Sequence, residues 1–198
     1  MGEGHSRWWV CCPETCQRHG MGSHSNPVSD HGESRSNRNG ERLPKLIYED
    51  DVANVYLTSD VQAALREFLG RVPLSCKEPV RMYWNKSDTL HCAVVAVSFQ
   101  EVGVDVEYMR DRRFEDISRR YFHEEEATND IQRFYELWCK KEAYTKWKKG
   151  KIAKYMSQKI DRDMSELVPQ SRYSLFELDL PDNIKGYLCY WQCVELLI

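Results

Sequence analysis

The residues best suited to chemistry lie in two short stretches. The first, Gly103-Val104-Asp105-Val106-Glu107, alternates apolar and polar positions. As a β-strand it turns Val102, Val104 and Val106 to one face and Gly103, Asp105 and Glu107 to the other. Two carboxylates two residues apart on one face lie close enough to share a hard cation, which prefers oxygen ligands. Gly103 on that face leaves room for a ligand to approach the backbone. Alone, such a pair is more often a solvated strand face than a metal site. The second stretch, Trp138 to Lys146, reads as helix, and Trp138, Glu142 and Lys146 form one column at i, i+4, i+8. If that helix packs on the acidic strand, Glu142 supplies a third carboxylate, with Lys146 one turn beyond it. The plain alternative for Lys146 is an i, i+4 partner of Glu142, worth about 0.2–0.5 kcal/mol.

Several elements must position these groups. Between Ile47 and Thr58 one strand is expected, around Asn54 to Leu57. Ser59 or Asp60 can cap a helix from Val61 to Leu69, with Gly70 just past its end. Pro73 and Pro79 mark a loop carrying Lys77 and Arg81. Met82 to Asn85, a polar turn and an apolar strand from His91 to Phe99 follow. The turn at Gln100-Glu101 then predicts a hairpin with the acidic strand. A helix over Phe114 to Phe122 precedes a long one from about Asp130 to Lys154. Strands over Tyr173 to Leu178 and Gly186 to Leu197 complete a mixed α+β pattern, with helices set against antiparallel sheet.

Composition narrows the class. The chain has 198 residues, 41% apolar and 30% charged, enough for one ample core or two small lobes. A net charge of −3 gives no basic field for nucleic acid. No apolar run reaches the roughly 20 residues that span a bilayer, so no membrane role is expected. Eight scattered cysteines without a signal peptide point to reduced thiols in the cytoplasm. Residues 1–44 read as a low-complexity, disordered extension, or as a start codon assigned too far upstream. Cys11, Cys12, Cys16 and His19 match no standard zinc spacing. Residues 45–100 then form a first lobe and 101–198 a second.

The two motifs together resemble the 4′-phosphopantetheinyl transferases. That family carries a Gly-(Ile/Val)-Asp-(Ile/Val)-Glu strand and, later, a helix with Trp-(Ser/Cys)-x-Lys-Glu-(Ala/Ser)-x-x-Lys. Both occur here in that order, with Tyr121-Phe122 between them and Gly150 after them also in family positions. The likeness runs from about Tyr83 to Lys151. It implies the surfactin-type α+β fold of two pseudo-duplicated lobes, here with the first lobe shortened. It also implies magnesium-dependent transfer of phosphopantetheine from coenzyme A to a serine of an acyl, aryl or peptidyl carrier protein. Such reactions serve fatty-acid, polyketide and nonribosomal peptide synthesis.

By the same resemblance, Asp105, Glu107 and Glu142 hold the ion. Glu142, or a water bound to the metal, takes the serine proton and Lys146 meets the pyrophosphate, with Lys141 near a phosphate. Ser87, in Trp84-Asn85-Lys86-Ser87-Asp88, matches a coenzyme-binding serine, and Lys77 and Arg66 match phosphate-binding positions. Asp88 stands where the family has histidine, so Lys86 or His91 must offset its charge. Cys76 and Glu78 alter the loop around Lys77. These departures leave a non-catalytic carrier- or nucleotide-binding relative as the alternative, with a phosphohydrolase built on the same acids as a third reading.

Overall fold

The computed structural model describes residues 9–12, 44–71, 78–90, 92–160 and 173–191. Lys77, His91, Cys16 and His19 lie outside the described residues, as does the end of the last expected strand. Within the 1–44 stretch, Trp9–Cys12 forms a strand, β1, paired antiparallel with β4 (Glu78–Arg81).

The first main sheet contains β2 (Lys45–Glu49), β3 (Ala53–Leu57), β5 (Tyr83–Thr89) and β6 (Cys92–Ser98), in the order β2-β3-β6-β5. The expected single strand before residue 58 is a hairpin. Its turn is closed by Asp50, whose carboxylate accepts the N–H groups of Val52 and Ala53 at 2.8 and 2.7 Å. An aspartate accepting from the backbone two and three residues on is a turn device, and it separates the two strands. Asp60 caps helix α1 (Val61–Arg71) through the N–H of Ala63 at 3.0 Å. The helix continues through Gly70 to Arg71, so that glycine does not end it. Ala64, Leu65 and Phe68 pack on Tyr56, Val95 and Val97, covering one face of the sheet.

The second sheet is β7 (Val102–Tyr108), β9 (Ile184–Trp191) and β8 (Tyr173–Glu177), all antiparallel in the order β7-β9-β8. The polar stretch expected as a turn is strand, because Lys86 to Thr89 pairs with β6 up to Cys92. The hairpin expected between β6 and β7 does not form. β6 is flanked by β3 and β5, and β7 pairs with β9 instead. The turn at Gln100-Glu101 therefore carries the chain from one sheet to the other.

Val102, Val104 and Val106 join Val55, Val94, Ala96 and Leu188 in a core shared by both sheets. The opposite face of β7 is covered by helix α3 (Ile131–Trp147), which follows α2 (Phe114–Tyr121) and a 3₁₀ turn at Glu124–Glu126. Asp130 caps α3 through the N–H of Gln132 at 2.8 Å. The helix ends at Trp147, short of the expected Lys154, because Lys149 takes φ 51° and Gly150 donates back to Thr145 O at 3.0 Å. A Cβ at Gly150 would lie 2.4 Å from the Tyr155 ring on α4 (Ile152–Tyr155), so a side chain there would have to push that ring aside. Mixed α+β, with two main antiparallel sheets, the small β1-β4 pair and covering helices, is thus the observed class.

Candidate functional site

Helix α3 reaches the acidic strand because of Gly103. A Cβ there would stand 2.1 Å from the carbonyl oxygen of Ala143 and 2.4 Å from the amide nitrogen of Trp147. The space that the sequence reading left for a ligand is filled by the helix backbone. The close approach sets Glu142, next to Ala143, and Lys146, next to Trp147, beside Asp105. Glycine here thus serves helix-to-strand contact.

Asp105 is 5% exposed, and its two oxygens differ. Oδ1 accepts from Ser87 Oγ at 3.0 Å and from Lys146 Nζ at 2.8 Å. Oδ2 is buried and has no hydrogen-bond partner. Lys146 also donates to Ser87 Oγ and to the Val104 carbonyl, both at 3.1 Å. Its three N–H groups are therefore all engaged. The Ser87 hydroxyl is full as well: it donates to Asp105 and accepts from Lys146 and from the Val106 N–H at 3.2 Å. Asp105 Oδ2 is the open position of this network.

The other two acids feel that opening. Burial pushes the Glu142 carboxyl up to about 7, helped by the negative charge of Asp105 and, less, of Glu107, while Lys146 opposes the rise. Glu107 is raised for the same two leading reasons, burial and then Asp105, against the pull of Arg112. Burial and the Asp105 charge thus raise both glutamates, and a cation beside them would offset that charge. Among the described residues, however, no three His, Cys, Asp or Glu side chains are grouped so as to hold a metal. The donors fit a hard divalent ion in kind, through their oxygens and the unpartnered Oδ2, but they are not assembled as a finished ligand set. In its place the Lys146 ammonium sits on Oδ1.

The remaining expected residues fall elsewhere. Lys141 is fully buried and points away from Asp105, donating to Glu126 Oε2 at 2.6 Å and to the Gln158 carbonyl at 2.5 Å. A side chain without solvent access in a carboxylate pair meets no phosphate. Arg66 is on the exposed side of α1. Ser87 is at the site, but with its hydroxyl fully engaged rather than open to a ligand. Lys86 stands 3.8 Å from the exposed Asp88, so the offset expected for that carboxylate is present in weak form.

Two features escaped the sequence reading. Arg112 lies over the rings of Phe134, Tyr135 and Trp138 at 5.7, 5.3 and 5.5 Å, and its charge acts on Glu107. Asn85 and Thr89 flank Ser87 on β5 and accept the Val104 and Tyr108 amides, each at 3.0 Å. Ser87 and Thr89 fall in the stretch after Asn85 that is expected as a polar turn, whereas β5 runs on through Thr89.

Residues 101–185 match a family model described as the 4′-phosphopantetheinyl transferase superfamily. That segment begins one residue before β7, ends inside β9 and includes Asp105, Glu107, Lys141, Glu142 and Lys146. Ser87, Arg66 and the first sheet lie before it. Comparison with curated proteins gave no match. The strand and helix that build this site thus lie within the segment, residues 101–185, that is identified with the 4′-phosphopantetheinyl transferase superfamily.

Proposed function

We propose that the protein transfers 4′-phosphopantetheine from coenzyme A to a serine of an acyl, aryl or peptidyl carrier protein, with a magnesium ion, as a cytoplasmic holo-carrier synthase. The observation that carries this reading is the network around Asp105, closed on Oδ1 and open on a buried Oδ2 beside Glu142 and Glu107. A buried carboxylate oxygen without a partner costs free energy that a bound cation recovers. Bound there by Asp105, Glu142 and Glu107, magnesium would supply charge neutralisation for a pyrophosphate. The buried free thiols Cys92, Cys139 and Cys189 suit a reducing compartment. Among the described residues no helix is long and apolar enough to cross a membrane.

The chain's own residues have these roles. Glu142, with its carboxyl near neutrality, accepts the proton of the carrier serine hydroxyl. The serine oxygen forms a bond to the β-phosphorus of coenzyme A as the bond from that phosphorus to the bridging oxygen breaks. 3′,5′-ADP leaves with that oxygen and its electron pair. Lys146, partly exposed, turns one N–H from Val104 or Ser87 toward the leaving phosphate and offsets its charge. Lys141 has no part in this, being enclosed. Residues 45–100 and 101–198 act as two pseudo-equivalent lobes, each a sheet covered by a helix, the first abbreviated.

The test is purified protein with coenzyme A, magnesium and a panel of apo carrier proteins, read by mass spectrometry. A carrier gaining one phosphopantetheine is the expected result. No gain on any carrier, with no magnesium-dependent binding of coenzyme A, overturns the reading. Carrier binding without turnover, unchanged in Glu142→Gln, makes the protein a non-catalytic binder.

A further inference from the structure

β5 and β7 are each the last strand of their own sheet, so no backbone ladder joins them. An edge strand leaves every second N–H without a ladder partner. Here those amides meet side chains of β5 at alternate positions. Asn85 Oδ1 accepts from Val104 at 3.0 Å, Ser87 Oγ from Val106 at 3.2 Å and Thr89 Oγ1 from Tyr108 at 3.0 Å. A side-chain period of two on one strand matches an amide period of two on the other, so three bonds of one kind form in register.

We propose that Asn85, Ser87 and Thr89 are positioning residues, a side-chain lace that fastens the first sheet to β7 and thereby holds Asp105 and Lys146 for transfer. The lace reaches the site at two points. Asn85 pins the peptide of Val104, whose carbonyl accepts from Lys146. Ser87 pins Val106 and bonds directly to Asp105 Oδ1 and Lys146 Nζ. With its one donor and both acceptor positions engaged, Ser87 has no capacity left for a phosphate. Its loss should impair the chemical step rather than coenzyme affinity. Through these bonds the first sheet contributes order to the site.

The kinetic part rests on the transferase reading; the lace itself does not. Amide hydrogen exchange and steady-state kinetics on the full chain test both, using Ser87→Ala and Thr89→Val. Ser87→Ala is expected to speed exchange at Val106 about tenfold, and to lower kcat about tenfold with KM for coenzyme A within about threefold. Thr89→Val, of similar shape without the acceptor, is expected to speed exchange at Tyr108 about tenfold with a smaller fall in kcat. It serves as the second probe if Ser87→Ala folds poorly. Unchanged protection at both amides overturns the lace. A rise in KM of about tenfold at constant kcat overturns the positioning role and makes Ser87 a ligand contact. If the wild-type chain transfers nothing, the function proposed above fails, while exchange at Val106 and Tyr108 still decides the lace.

Discussion

Helix α3 carries three lysines that each meet a carboxylate, and two of them, Lys141 and Lys146, lie in surroundings that differ in kind. Lys141 and Glu126 have side chains 0% and 1% exposed. Lys141 also holds the Gln158 carbonyl, and Glu126 accepts the Ile160 N–H at 2.6 Å, so the pair clamps the chain beyond α4 onto the helix. The side chains of Lys146 and Asp105 are 27% and 7% exposed, and one Asp105 oxygen is left over. A buried ion pair stabilises when hydrogen bonds complete it and costs free energy where one atom is orphaned. The closed pair therefore reads as architecture and the open one as a place where something binds. Residue type alone, a lysine beside a glutamate in the same motif, does not separate the two roles.

The open network breaks most directly at Glu142. Glu142→Gln keeps the shape and removes the proton acceptor, and transfer is expected to slow by about 10²–10⁴-fold. Circular dichroism and thermal unfolding should show a folded variant. Activity within about tenfold of wild type would take Glu142 out of the chemistry.

At the closed pair the effect should appear in stability. Lys141→Ala leaves Glu126 buried and uncompensated, costing about 3–5 kcal/mol in denaturant unfolding. Replacing both partners by apolar residues, Lys141→Met with Glu126→Leu, should recover most of that loss. A cost for Lys141→Ala below about 1 kcal/mol would mean that the pair is not holding residues 158–160.

Gly103→Ala tests what brings the open network together. The added methyl meets helix backbone rather than a movable side chain, so α3 must shift off β7. A stability loss of about 1–3 kcal/mol is expected. A larger proportional loss of transfer should accompany it, since Glu142 and Lys146 move with the helix. Unchanged activity in a destabilised variant would show that the site tolerates displacement of α3.

Much of this site was legible from spacing. The period of two in 102–107 gave the face of Asp105 and Glu107, and the 3.6-residue period put Glu142 and Lys146 in one column. What spacing could not give was pairing. β6 and β7 are adjacent in sequence but belong to different sheets, a choice made by which faces bury the valines on both sides. The polar run Lys86-Ser87-Asp88-Thr89 looked like a turn because its hydrogen-bonding side chains, Ser87 and Thr89, serve a neighbouring strand. Lys141 looked like a phosphate ligand because its partner, Glu126, lies 15 residues away on a 3₁₀ turn. Gly103 was read as open space, and only the packed helix shows what occupies it.

The smallest expected effect compares the two networks through pH. Burial and the Asp105 charge put Glu142 at about 7 in the folded chain, whereas a glutamate in an unfolded chain titrates near 4.3. Between about 4.3 and 7 the folded state therefore binds more protons than the unfolded state, and Glu142's contribution to stability falls as pH rises through that window. Above about 7 the penalty is complete, while below about 4.3 it vanishes. In metal-free protein, Glu142→Gln should raise Tm by a few degrees at pH 8 and by little at pH 5. Glu107 is shifted the same way, so the variant keeps part of the slope. Magnesium should raise the wild-type Tm at pH 8 and raise the variant's less, because the ion relieves the same repulsion that the substitution removes. A Tm difference between variant and wild type that is equal at pH 5 and pH 8 would mean that Glu142 stays ionised in the folded chain, and the network around Asp105 would then already be closed.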